Sequence, residues 1–223
     1  LFYLLFVKYQ KISKENALLV QEQSHRTKNN LQSVSSLLNL QIHQLSDPIA
    51  IETMEESLMR IEAMLMAHHR LYQRDNLVEI NLLHYLPDLI QSVLRSYHFE
   101  SIRPIYEIQD IGLHSDKSIP LGLIVNELTT NACKYAFKNN PAPALSIRCT
   151  LKAGIISFTF SDNGPGFVPD TEKDSFGMQL IHLMADKLKA DVTFRKDNGC
   201  RFDLSFDSTV KRKMMKESST SKS

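Results

Sequence analysis

Three short polar runs between Leu121 and Met178 constrain this chain more than any other feature. They are Asn126-Glu127-Leu128-Thr129-Thr130-Asn131-Ala132-Cys133-Lys134, then Asp162-Asn163-Gly164-Pro165-Gly166, then Ser175-Phe176-Gly177-Met178. Glu127 and Asn131 stand four residues apart and share one face of a helix, where a carboxylate and an amide can hold a water and a hydrated Mg2+ beside phosphates. The Asp-x-Gly-x-Gly turn sets a carboxylate at a strand end, where it can accept from an adenine amino group. Its glycines permit positive φ and close approach. Gly177, ahead of an apolar-periodic helix, supplies the bare backbone that lets a helix N-terminus meet phosphate. Order and separation make these the pieces of one nucleotide site.

The 223 residues suit one large or two modest domains, and the change of patterning near Asn76 favours two. A formal charge of +1 gives no basic field for nucleic acid. Cys133, Cys149 and Cys200 show no metal-ligand spacing and fit a reducing compartment as small core or surface residues. Residues 1–7 are apolar, with Lys8, Lys11 and Lys14 following. Seven residues cannot span a bilayer, but they read as the last turns of a membrane helix with the lysines on the cytoplasmic side. The alternative is the apolar start of a coiled coil. On the first reading the chain is the cytoplasmic part of an inner-membrane protein.

No Pro or Gly interrupts residues 8–45, and Leu31, Val34, Leu38 and Leu45 follow seam spacing, with Gln41 and Ile42 between. This predicts a long amphipathic helix. Ser46-Asp47-Pro48 caps a second one, whose seam reads Ile51, Met54, Leu58, Ile61, Leu65, His68, Tyr72. The expected result is an antiparallel hairpin that leaves an apolar stripe uncovered, which a dimeric four-helix bundle would bury. Beyond it the pattern mixes strand and helix. Strands are predicted over 77–80, 105–111, 145–151, 155–161, 191–196 and 200–206, and helices over 82–97, 118–137 and 177–188. The fold class is therefore α+β: a helical-hairpin dimerisation domain, then an α/β sandwich that binds ATP. The expected divisions are 1–14, a membrane-proximal or signalling helix start; 15–75, the hairpin; 76–207, the ATP-binding domain; and 208–223, a disordered tail. Residues 163–176, rich in Gly, Pro and charge, have the composition of a lid.

The segment from Glu22 to Gln32 carries the second chemical signal. Extending the seam back from Leu31 leaves His25 beside it and accessible. A neutral imidazole there has a ring lone pair for nucleophilic attack. Glu22 and Asn29 fall on the same face, and Glu22 could accept the other ring N–H, while Arg26 and Lys28 add positive charge. His68, on the second seam, reads as a packed structural residue.

Taken together, the chain resembles a bacterial sensor histidine kinase core. The acceptor segment His25-Arg26-Thr27-Lys28-Asn29-Asn30-Leu31-Gln32 matches one subfamily, as do His68-His69-Arg70-Leu71-Tyr72 and the residues after it. The nucleotide motifs resemble the ATP site shared by gyrase, Hsp90, histidine kinases and MutL. The resemblance implies that His25 accepts phosphate and Glu127 assists it, that Asn131 holds Mg2+, and that Asn126 lines the phosphate end with Glu127. It places Lys134 and Tyr135 near the phosphates or ribose, Asp162 on adenine, Gly164 and Gly166 at the pocket and lid, and Gly177 near phosphate. It further implies a homodimer and a response-regulator receiver as partner. Ser24 stands where the subfamily often has His, and His69 where Glu is common. The alternatives are an ATPase clamp in which Glu127 activates water, a non-catalytic dimeric adaptor, and a kinase acting on serine of a partner, which would leave His25 idle.

Overall fold

In a computed structural model, the structure describes residue 22 and residues 26–71, 79–166 and 176–209, the side chains of 66–71 excepted. The expectations for residues 1–14, His25, Ser24, Tyr72, the lid 167–175 with Ser175, and the tail from 210 fall outside the described residues, as do those for the side chains of His68 and His69.

Helix α1 covers 26–42 and α2 covers Pro48–Leu71. Asp47 caps α2, its Oδ1 accepting from the Ile49 N–H at 3.0 Å, and Pro48 costs the first turn no hydrogen bond. Half-buried positions on α1 run Leu31, Ser35, Leu38, Ile42, so the seam passes through Ser35 where the sequence suggested Val34. Steps of three and four both approximate the 3.6-residue turn, and the phase is settled by packing. Val34, Leu37 and Leu40 instead form an exposed apolar stripe.

After the hairpin come β1 (Glu79–Asn81), α3 (Leu82–Ser96), β2 (Ile105–Ile108), β3 (Gly112–His114), α4 (Ser115–Asn131), β4 (Leu145–Lys152), β5 (Ile155–Asp162), α5 (Phe176–Leu188), β6 (Asp191–Lys196) and β7 (Cys200–Asp207). The single strand expected over 105–111 is two, because the chain turns at 109–111 and β3 pairs with β1 in a small separate sheet. The main sheet has order β2-β4-β5-β7-β6 with only β2–β4 parallel. Ala153 and Gly154 both take positive φ between β4 and β5, the geometry of a two-residue hairpin whose twist suits the strands.

Strand alternation puts Ile147, Cys149, Ile156, Phe158, Phe160, Phe202, Leu204 and Phe206 on one buried face. The register sets Phe160 opposite both Ile147 and Phe202. The three helices α3, α4 and α5 complete the core. Every residue from Leu121 to Thr130 is buried, since α4 packs against α2, α3 and α5. Such a helix offers no solvent face, so a charge on it must find its partner within the protein. After Asn131 the helix widens into a π-helical turn over Ala132–Ala136, closed by Phe137 N–H donating to Ala132 O, five residues back, at 2.9 Å. Burial pushes the Cys133 and Cys149 thiols up to about 12, which keeps them protonated and inert at neutral pH.

Gly122 lets α3 approach α4, because a Cβ there would fall 2.0 Å from the Tyr85 hydroxyl oxygen and 2.8 Å from the ring carbon that bears it. Gly122→Ala should lower unfolding free energy by roughly 1–3 kcal/mol or more. In urea titrations, adding Tyr85→Phe should recover part of that loss, since the hydroxyl is only the nearest of the clashing atoms.

Candidate active site

A cavity of about 390 Å3 opens between α4 with its π-helical turn, the end of β5, the start of α5 and the β6–β7 hairpin. Its wall includes Leu128, Asn131, Tyr135, Ala136, Phe160, Asp162, Gly166, Met178, Phe194 and Cys200. The volume and the mix of apolar wall with a few polar groups suit a nucleobase and part of its sugar.

Asp162 is the best-fixed polar group there. Its Oδ1 accepts from the Gly164 N–H at 2.9 Å and the Cys200 N–H at 3.2 Å, which holds the plane of the carboxylate. The β6–β7 turn makes this possible. Asn198 and Gly199 both have positive φ, and a Cβ on Gly199 would lie 1.8 Å from the Asp162 carbonyl oxygen. The turn backbone is thus pressed directly onto the strand end that carries the carboxylate. Gly164 is equally confined, its would-be Cβ 2.4 Å from the Ala136 side chain. Asn140 and Asn163 brace the same corner, Asn140 Nδ2 donating to Asn163 Oδ1 at 3.1 Å and Asn163 Nδ2 to Ala142 O at 2.8 Å.

The site residues read from the sequence divide into two groups. Asn131, Tyr135, Asp162 and Gly166 line the cavity, Gly164 adjoins it, and Gly177 sits in the first turn of α5 beside the lining Met178. Asn126, Glu127 and Lys134 do not line it. Asn126 faces a crevice between α2 and α3 that includes Met59, Ala63 and Val93. Glu127, with its side chain 3% exposed, receives a two-pronged bond from Arg60 of α2: Nε to Oε1 at 2.5 Å and Nη2 to Oε2 at 3.0 Å. Lys134 turns to the same helix and pairs with Glu52 at 2.7 Å and with Glu56. The physical reason is the burial of α4 together with the change of pitch at the π-helical turn, which rotates Lys134 out of line with Asn131 and Tyr135.

The result is a chain of alternating charge, Glu52, Lys134, Glu56, Arg60, Glu127, running from surface to core. Burial pulls the Arg60 pKa down, but hydrogen bonding and charge from Glu127 and Glu56 more than reverse this, so it ends above its ordinary value. For Lys134, burial again opposes and Glu52 with Glu56 prevail, raising the pKa. The Glu52 carboxyl, bonded to Lys134, is held below its usual range. Arg60 was not legible as a site residue, although a lone arginine within Leu58-Met59-Arg60-Ile61 is an available signal. Phe160, Phe194, Met178 and Cys200 were missed as wall residues, though strand parity points Phe160 inward. At the acceptor segment, Glu22 Oε1 receives Arg26 Nη2 at 2.7 Å, while His25 itself lies outside the described residues. That pair is exposed and easily exchanged.

Comparison with known proteins agrees with this geometry. A family model described as histidine kinase matches residues 22–97, and one described as histidine kinase-like ATPase domain matches residues 104–200. The chain belongs to the histidine kinases. It is 30% identical over 172 residues to the sensor histidine kinase PdtaS of Mycobacterium tuberculosis, covering 74% of this chain and 34% of that protein. It is 25% identical over 170 residues to PdtaS of Mycolicibacterium smegmatis, with the same shares covered. The chain thus spans about a third of the length of the curated relatives it matches. Its fold is similar to that of the histidine kinase domain of the blue-light activated histidine kinase of Erythrobacter litoralis. The TM-score is 0.62 and the identity 16%, over 81% of this chain and 94% of that one. The second half is an ATP-binding domain of the kinase type.

Gly164→Ala should displace the π-helical turn that walls the cavity, weakening binding of a fluorescent ATP analogue at least tenfold and lowering stability in urea by roughly 1–3 kcal/mol, since its Cβ would also meet the Ala136 Cα at 2.5 Å. An affinity within twofold of wild type would show that this corner does not shape the nucleotide pocket.

Proposed function

We propose that the chain is the core of a two-component sensor kinase that phosphorylates its own His25 with Mg-ATP and passes the phosphate to an aspartate of a response-regulator receiver. The observation that supports this best is the joining, in one chain, of a nucleotide-sized cavity walled by Asn131 and Asp162 to a helical hairpin matched by the histidine kinase family model from residue 22. The division of labour is taken to fall near residue 75, with the hairpin before it and the catalytic domain after it.

In the transfer, a ring nitrogen of His25 uses its lone pair to form the bond to the γ-phosphorus as the bond to the β–γ bridging oxygen breaks and ADP departs. The ring's other N–H then gives up its proton, for which Glu127 is the proposed acceptor. Asp162 would accept from the adenine amino group, with Gly164 and Gly166 shaping the pocket and Tyr135 at its mouth, where it is 69% exposed. Asn131 offers an amide oxygen, a hard donor of the kind Mg2+ takes. Bound there, Mg2+ would neutralise developing charge on the phosphates. Gly177 opens α5 with the backbone N–H groups that suit a phosphate. Asn126 and Lys134 would act from the α2 side, securing α4.

The exposed stripe of Val34 at 45%, Leu37 at 61% and Leu40 at 63% is the proposed contact with a second copy, giving a four-helix bundle. Among the described residues no helix is long and apolar enough to cross a membrane. Attachment to the inner membrane through residues 1–14 therefore stands as a proposal from sequence alone.

The test is incubation with γ-labelled ATP and Mg2+, wild type beside His25→Gln. Acid-labile, alkali-stable label is expected in the wild type and none in the variant, with affinity for an ATP analogue within about twofold. EDTA should abolish labelling, and Asn131→Ala should reduce it at least 100-fold. Steady ATP turnover unaffected by His25→Gln would instead favour the clamp.

A further inference from the structure

The Arg60 guanidinium meets both walls expected to bracket the phosphates. It forks onto Glu127 of α4, and it lies over the ring of Phe176, 4.9 Å from the centroid, at the first residue of α5 and immediately before Gly177. Its own helix holds it in place through Glu56, whose Oε2 accepts from Nη2 at 3.3 Å while Oε1 meets Lys134. We propose that Arg60 is a positioning residue for phosphoryl transfer, acting through Glu127 and fixing that carboxylate, with the start of α5, at a set point on α2.

Three features of the contact support this. First, the Glu127 side chain is 3% exposed, and burying a carboxylate is costly unless its oxygens are hydrogen-bonded and its charge is paired. Arg60 is 10% exposed and supplies that charge without being able to lose its own proton. Second, the fork leaves the carboxylate with capacity to accept. Each oxygen has two lone-pair sites, and the guanidinium takes one on each. Third, lysine in place of arginine would keep the charge but give up the planar, two-point hold and the stacking on Phe176. The arrangement therefore makes a specific demand for arginine, and it ties the geometry of the phosphate end to the helix that also forms the hairpin.

The inference rests on the proposed kinase reading, in which Glu127 takes the proton that His25 gives up. Its test uses the complete chain and initial rates of His25 labelling against ATP concentration for wild type, Arg60→Gln, Arg60→Lys, Glu127→Gln and the double variant Arg60→Gln/Glu127→Gln. Arg60→Gln should lower kcat roughly 100-fold with KM for ATP within threefold, as expected when a reacting group is misplaced. Arg60→Lys should recover part of that loss. In the Glu127→Gln background, removing Arg60 should have little further effect, because the residue it positions is already gone. If Arg60→Gln alone fails to fold, Arg60→Lys, which keeps a positive charge opposite Glu127, takes its place in both backgrounds and is judged by the same comparison. Equal losses from Arg60→Gln in both backgrounds, or a rate at or above wild type, would overturn the proposal. Absence of His25 labelling in the wild type would instead refute the kinase reading beneath it.

Discussion

A carboxylate has been carried into the interior, and the surrounding packing is arranged to tolerate it. Helix α4 is covered along its length from Leu121 to Thr130, so Glu127 has no water to turn to. Its only adequate partner is a charge from another element, and Arg60 of α2 provides it. An ion pair of this kind contributes little net stability over a well-packed apolar pair, yet losing one member costs about 3–5 kcal/mol through the charge left behind. The contact therefore acts as a constraint on placement. As long as both groups are present, α2 must lie against α4 with Arg60 level with Glu127, and α2 cannot slide along α4 without exposing one charge to a dry environment. Glu56 and Lys134 continue the constraint outward into regions where water screens it more strongly.

The cavity beside Asp162 depends on a second kind of restraint, backbone pressed against backbone. Asp162 stands at the end of β5, and its orientation is set by N–H groups from two different segments, Gly164 in its own turn and Cys200 at the start of β7. That requires the β6–β7 turn to sit almost in contact with the strand end, which Gly199 permits and any side chain would prevent. The cavity wall then follows from strand parity, because Phe160 and Phe194 point the same way as the core residues that precede them.

Much of this was legible in the sequence. The positions of β4 and β5 follow from alternation around Ala153-Gly154, the start of α2 from Asp47-Pro48, and the cavity from its glycines and Asp162. What the sequence did not yield shares one cause. Periodicity shows that a helix has faces but not which neighbour covers each one. Asn126, Glu127 and Asn131 sit on one continuous helix, and nothing in their spacing says that Asn131 meets the cavity while Asn126 and Glu127 meet α2 and α3. The π-helical turn compounds this by advancing the phase between Asn131 and Lys134, so a residue assigned to the phosphates by resemblance is found on the hairpin side. The seam of α1 shows the same limit in milder form, where Val34 and Ser35 satisfy the spacing equally and only packing separates them.

Helix α2 is the element on which these contacts converge. Half-buried Ile51, Met54, Leu58, Ile61 and Leu65 follow the hairpin seam, while Glu56 and Arg60 look toward α4 and Met59 and Ala63 border the crevice beside Asn126. The two stripes lie on different sides of one rigid rod, with about 1.5 Å of rise per residue. A rotation or shift of α2 within a helical bundle therefore cannot leave the second stripe in place. It must either carry Glu127 and the start of α5 along or pull Arg60 away from them. Because a half-broken pair is costly, intermediate positions are disfavoured and the contact tends toward two states, made or parted. A change in the bundle of a few ångströms would thus reach the junction of α4 and α5 as a discrete change in the setting of Glu127.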